Sequence, residues 1–172
     1  MTSLKKHIYL IGMPGSGKSS LGRRVAASLR LPYVDTDNLL AQIFKKDTKT
    51  ILQEYGEPAF RNAETNLLIR LCAANPCVIS TGGGLPLRDI NQKIMKDNGF
   101  VILIDRPLDS IKSNIRFEKR PLLMGDGMKK LEKINEIRMP IYKSCADYTL
   151  NNLSNISEGI NSLSKVILSQ MS

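Results

Sequence analysis

A chain of 172 residues, 42% hydrophobic and 24% charged, is long enough to bury the core of one domain and is expected to fold as one over residues 1–172. No stretch approaches the ~20 apolar residues of a membrane span, which argues against a membrane protein. The formal charge of +9 points to polyanionic partners; with aromatics at 5% and no tryptophan, no stacking platform for bases is evident and nucleic acid is the weaker choice.

In chain order, the opening MTSLKKHIYLIG reads as a mature N-terminus, because its short apolar run passes directly into a glycine-rich turn. HIYLI (7–11) is the first strand, and a helix starts at Lys18, where Leu21, Val25 and Leu29 recur every four residues. PYVD (32–35) is the second strand. Residues 36–57 are too long for a simple connection, and Phe60, Leu67, Leu68 and Leu71 mark a helix over 58–74. CVIST (77–81) and FVILID (100–105) are further strands, and 117–128, with Pro121, Gly125 and Gly127, is a loop. Ile134, Ile137 and Ile141 predict a helix over 129–145 that Pro140 either kinks or restarts. YTL (148–150) and a helix over 157–170 close the chain. Apolar strands alternating with helices predict an α/β fold with a parallel sheet covered on both faces and functional residues at the carboxyl ends of its strands. Cys72, Cys77 and Cys145 show no metal-ligand spacing and are expected to be buried, reduced thiols of a cytoplasmic protein.

Gly12-Met-Pro-Gly-Ser-Gly17-Lys18-Ser19 matches G-x-x-x-x-G-K-[ST], between a strand and a helix as the motif requires. Its glycines let backbone N–H groups converge on a polyphosphate, and the following helix adds the positive end of its dipole. Gly15, Ser16, Gly17, Lys18, Ser19 and Ser20 are expected to hold the nucleotide, with Lys18 on the β- and γ-phosphates and Ser19 offering its hydroxyl to Mg²⁺. On an extended strand end, Asp35 and Asp37 would face the same way. Asp35 then suits a hydrated Mg²⁺, and Asp37 suits a substrate hydroxyl as acceptor and general base, its alternative role being the N-cap of a helix starting near Asn38. Arg61 and Glu64 are three apart on a helix, which alone indicates a surface ion pair, although a guanidinium also clamps carboxylates. Gly82-Gly83-Gly84 suits close approach of backbone to a ligand.

The phosphate turn, Asp35-Thr36-Asp37, GEPAFRNAE (56–64), the glycine triplet, Arg120-Pro121-Leu122-Leu123 and Arg138-Met-Pro-Ile-Tyr142 together resemble the shikimate kinase family over roughly residues 8–148. The resemblance implies a fold similar to nucleoside monophosphate kinases, with a P-loop and a five-stranded parallel sheet. It also implies transfer of the ATP γ-phosphate to the 3-hydroxyl of shikimate, in the biosynthesis of chorismate and the aromatic amino acids. Asp37, Arg61, Gly83 and Arg138 would hold shikimate, both arginines on its carboxylate, and Arg120 would reach the phosphates from a lid spanning about 112–128. Lys18, Asp37 and Arg120 would be the catalytic set, the acceptor segment would span about 36–64, and a monomer working on ATP and shikimate is expected. The chain departs from the family at Ser113, where an arginine usually stacks on adenine; Lys112 and Arg116 are out of register, and the adenine-side loop at 151–155 lacks its usual arginine. The competing readings are a gluconate kinase on the same scaffold, which has no need of paired arginines, and a nucleotide-gated or nucleic-acid-binding module supported only by the charge.

Overall fold

The structure, a computed structural model, describes residues 3–114, 127–153 and 155–171. Five strands form one parallel sheet: β1 (His7–Ile11), β2 (Tyr33–Asp35), β3 (Val78–Ser80), β4 (Gly99–Asp105) and β5 (Tyr148–Asn151), in the order β2-β3-β1-β4-β5. Every residue of the central β1 is buried, as expected of a strand covered on both faces. Its side chains alternate between two cores. Tyr9 and Ile11 join Ile79, Val101 and Leu103 beneath α3 (Thr48–Cys72), α4 (Asp89–Asn98), α5 (Leu108–Asn114) and α6 (Gly127–Cys145). Ile8 and Leu10 join Val78, Ile102 and Ile104 beneath α1 (Lys18–Ser28) and α7 (Ile156–Leu168). This is the P-loop, nucleoside monophosphate kinase-like α/β fold.

The register positions the chemistry. Asp35 lies opposite Ser80, and Ser80 opposite Leu10, so the carboxyl ends of β2, β3 and β1 finish level. The chain leaves these three ends as the Asp35–Asp37 segment, the Thr81–Gly84 segment and the phosphate turn, which therefore become neighbours.

Residues 36–57, which fit no simple connection, fold as α2 (Thr36–Phe44) followed by the first run of α3. Lys45 ends α2 in the left-handed conformation, at φ 54°, and the Asp47 carboxylate caps α3 by accepting from Thr50 N at 2.7 Å. Leu40, Ile51, Phe60 and Leu67 form a separate small core under these helices. α3 is two helical runs joined at Gly56, whose φ of 79° and ψ of 163° interrupt the helical path. Pro58 then falls in the first turn of the second run, where its missing N–H costs nothing. The bend directs Arg61 and Glu64 toward the strand ends.

The helix after the phosphate turn, the run over 58–72 and the C-terminal helix lie where periodicity puts them. α6 starts two residues earlier than expected and continues through Pro140. Ile137, one of the residues whose spacing marks this helix, is 58% exposed. The expected loop at 117–128 lies largely outside the described residues, although Gly127–Met128 are helical in α6; of the expected lid at about 112–128, Lys112–Asn114 are helical in α5. Cys72, Cys77 and Cys145 are free thiols, two of them buried. No helix among the described residues is long and apolar enough to cross a membrane.

Candidate active site

Three glycines shape the phosphate turn: φ is positive at Gly12 (142°), Gly15 (81°) and Gly17 (101°), the region that side chains other than glycine's rarely enter. At Gly12 space is also limiting, since a Cβ there would lie 2.6 Å from the Ile104 carbonyl oxygen. Lys18, buried at the start of α1, donates its ammonium hydrogens to the carbonyls of Gly12 at 2.8 Å and Met13 at 2.9 Å. Its charge is thus held against the turn. Asn152, which follows β5, donates its side-chain amide to Ser16 O at 2.9 Å while its backbone N–H donates to Asp105 O at 2.6 Å. This buried clamp ties the turn to the ends of β4 and β5, 136 positions away in the chain. Nothing in local sequence pattern announces it.

Ser19 Oγ donates to Asp35 Oδ2 at 2.7 Å and lies 3.2 Å from Ser80 Oγ. The other oxygen of Asp35, Oδ1, accepts from Asn38 N at 3.1 Å, so Asp35 is the N-cap of α2. The strand ends at Asp35 and the helix begins at Thr36. Asp37 is therefore neither the cap nor an extended-strand neighbour of Asp35; it stands in the first turn of α2, and both carboxylates still line the same cleft. Thr36 turns the other way, accepting from Gly82 N at 2.9 Å, and joins the β2 exit to the glycine triplet.

The triplet makes room for side chains. A Cβ at Gly82 would overlap Asp37 Oδ1, and one at Gly84 would overlap the Arg61 guanidinium. At Gly83 it would come within 3.2 Å of Arg138 Nη1 and 3.4 Å of Tyr142 Oη. Tyr142 also donates its hydroxyl to Gly83 O at 2.6 Å, fixing the loop to α6. Asp37, Arg61 and Arg138 therefore converge on three consecutive residues, and the absence of side chains serves their approach at least as much as that of a ligand.

Arg61 and Glu64 do not form a surface pair. Arg61 Nη1 donates to Glu64 Oε2 at 2.7 Å, with the two side chains 12% and 1% exposed. On its outer edge, Arg61 Nη2 and Nε donate to Glu57 Oε1 at 3.1 and 3.3 Å. Burial pushes the Glu64 carboxyl up to about 7 against the opposing pull of Arg61, and Asp37 raises it further. Its second oxygen, Oε1, has no hydrogen-bond partner.

These residues enclose a cleft of about 580 Å³, lined by the phosphate turn together with residues of α2, α3, α6 and the glycine triplet. Gly15, Gly17, Lys18, Ser19 and Ser20 line it, as do Asp35, Asp37, Arg61, Gly83 and Arg138. Ser16 does not: it is fully buried, and its carbonyl takes the Asn152 bond. Arg120 lies outside the described residues. Glu64 also lines the cleft, as do Phe60 and Ile134; Glu64 was legible only as half of an ion pair, because spacing says nothing about burial. Lys112 donates to Glu132 Oε1 at 2.5 Å.

Comparison with known proteins identifies the family. The sequence profile of the shikimate kinase family matches residues 14–168. A shikimate kinase of Clostridium beijerinckii is 37% identical over 98% of this chain and 98% of its own length, and one of Clostridium botulinum is 38% identical over 96% and 99%. Among solved structures, the shikimate kinase of Acinetobacter baumannii in complex with shikimate superposes with a TM-score of 0.88 at 29% identity, covering 95% of this chain and 93% of that one. With the phosphate turn and the converging Asp37, Arg61 and Arg138 lining a single cleft, the chain belongs to the shikimate kinase family, whose members are ATP-dependent kinases.

Proposed function

We propose that this chain transfers the γ-phosphate of ATP to the 3-hydroxyl of shikimate, giving shikimate 3-phosphate and ADP. The observation that carries the reading is the convergence of Asp37, Arg61 and Arg138 on Gly82–Gly84, in the same cleft as Lys18. Two guanidinium groups suit the carboxylate of shikimate, with Gly83 as a further contact. Asp37, within the same cleft, accepts the hydrogen bond of the attacking hydroxyl and takes its proton. Phosphoryl transfer asks little covalent work of side chains, so alignment and charge neutralisation dominate. Lys18 supplies charge at the γ-phosphate, and Arg120, assigned by its match to the family motif, adds to it.

The residues present suit Mg²⁺. Ser19 Oγ and Asp35 Oδ2 are a hydrogen-bonded pair of hard oxygens beside the phosphate turn, matching the oxygen preference of that ion. Ser19 would ligate it directly and Asp35 through water. When bound, Mg²⁺ neutralises charge on the β- and γ-phosphate oxygens.

In this reading residues 1–172 are one kinase domain, with the acceptor segment at 36–64 and the lid at 112–128, acting as a monomer in the cytoplasm. ADP release coupled to a reporter reaction tests the acceptor, with shikimate, gluconate and single-stranded DNA added separately. Shikimate-dependent release alone is expected. Stimulation by gluconate with shikimate inert overturns the acceptor, and stimulation by DNA overturns the enzyme class.

A further inference from the structure

Glu64 is a carboxylate of the cleft whose charge is hard to keep. It is 0% exposed, its Oε2 takes an Arg61 hydrogen, and its Oε1 has no partner. Around it stand Arg61 on its own helix, Asp37 from α2, which crowds the same side of Gly82, and Arg88 after the 3₁₀ turn at Leu85–Leu87. Glu64 Oε1 lies beside Gly82, and Arg138 and Tyr142 from α6 lie beside the next residue, Gly83. Arg61 is already shared by two carboxylates, Glu57 and Glu64. An acceptor carboxylate docking on this guanidinium becomes its third anion, in a cleft where Asp37 is a further one. With Arg138 sharing the acceptor carboxylate and Arg88 beside Glu64, the carboxylates still outnumber the guanidinium groups by one. Glu57 is 65% exposed and keeps its charge in water, and Asp37 is only partly buried. Glu64 has neither solvent nor a partner for Oε1.

Resting on the acceptor assignment above, we propose that docking of a carboxylate-bearing acceptor at Arg61 is coupled to the uptake of one proton from solvent by Glu64, onto Oε1. The neutral acid keeps its Oε2 contact with Arg61 while releasing most of that guanidinium's positive potential to the acceptor. Glu64 is thus a positioning residue, acting through Arg61. Its carboxyl, raised to about 7 by burial, changes protonation in the range where the coupling is measurable. Below about pH 5.5 the group is already neutral in the free protein, and docking takes up nothing. Above pH 7 each docking event must bring its own proton, so the acceptor's Kd rises by up to about tenfold per pH unit.

Isothermal titration of shikimate into the protein, in phosphate and in Tris or imidazole at one pH, reads the coupling directly, because the observed heat then varies with the ionisation enthalpy of the buffer. Proton uptake at pH 7.5 that vanishes at pH 5.5 is expected. In Glu64→Gln, whose amide resembles the neutral acid, uptake should be absent and Kd should stay flat from pH 6 to 8.5. Tight binding with heat independent of buffer overturns the coupling while leaving the acceptor intact, as does a Glu64→Gln protein whose Kd still climbs with pH. Absence of any shikimate heat in the wild-type protein overturns the acceptor assignment, and the coupling with it.

Discussion

A guanidinium that recognises a ligand inside a cleft must be kept charged and kept still, and Arg61 is held for both purposes by Glu57 on its outer edge and Glu64 on its inner one. Burial works against its charge, and the two carboxylates more than offset that cost, holding it above its usual range. Arg61→Ala removes a charge-assisted contact worth about 1.5–3 kcal/mol. Shikimate affinity, measured by titration, should fall by about tenfold to a hundredfold with little change in the KM for ATP. Equal losses for both ligands would mean the residue only supports the fold. Lys18 differs because its role is to meet charge on the donor. Lys18→Ala should lower kcat by about 10²–10³ or more, read by ADP release, while thermal melts remain close to those of the parent. The GEPAFRNAE stretch names Arg61, whereas the burial of Glu64 follows from the helices above it. Asp35 and Asp37 were legible as a pair, but which one caps α2 depended on where the strand ended.

Among the elements, the glycine triplet and the loop after β5 carry most of the positioning. Gly84 has φ −89° and ψ −17°, a conformation open to alanine, so a substitution there acts only through the space its methyl takes. That space is occupied by the Arg61 guanidinium. Gly84→Ala should therefore displace Arg61 and raise the KM for shikimate by about tenfold or more. The melting temperature and the KM for ATP should hardly move; a large fall in melting temperature instead would show that the triplet is needed for the backbone itself. Asn152→Ala removes the buried hydrogen bond to Ser16 O. It should cost about 1–2 kcal/mol, or roughly 2–8 °C in Tm, by differential scanning calorimetry. Because the clamp supports the phosphate turn, the KM for ATP should rise more than that for shikimate. The bend at Gly56 belongs at this scale too: the Gly-x-Pro spelling signals a break, while the helical run before it, packed through Ile51 against Leu40, Phe60 and Leu67, emerges only in the fold.

For the whole molecule, the raised carboxyl of Glu64 makes stability depend on pH. Its ordinary value of 4.5 in the unfolded chain rises to about 7 in the fold, so the folded state binds the proton more tightly. The resulting stabilisation is complete below pH 4.5 and is lost as pH rises through 7, up to about 3 kcal/mol in all. Urea midpoints should therefore fall from pH 5.5 to pH 8, and Glu64→Gln should show a shallower fall; parallel slopes would place the titrating group elsewhere. By itself the sequence determined the phosphate turn, the apolar strands, most helices and the family-specific residues of the acceptor side. These are written in short-range terms, in glycine spacing, in hydrophobic period and in motifs a few residues long. The tertiary structure alone decided that Glu64 is buried, that Asp35 is the cap, that the triplet yields space to Asp37 and Arg61, and that Asn152 clamps the turn. Each of these depends on desolvation or steric contact between segments far apart in the chain, and neither quantity exists until the strands align and their carboxyl ends meet.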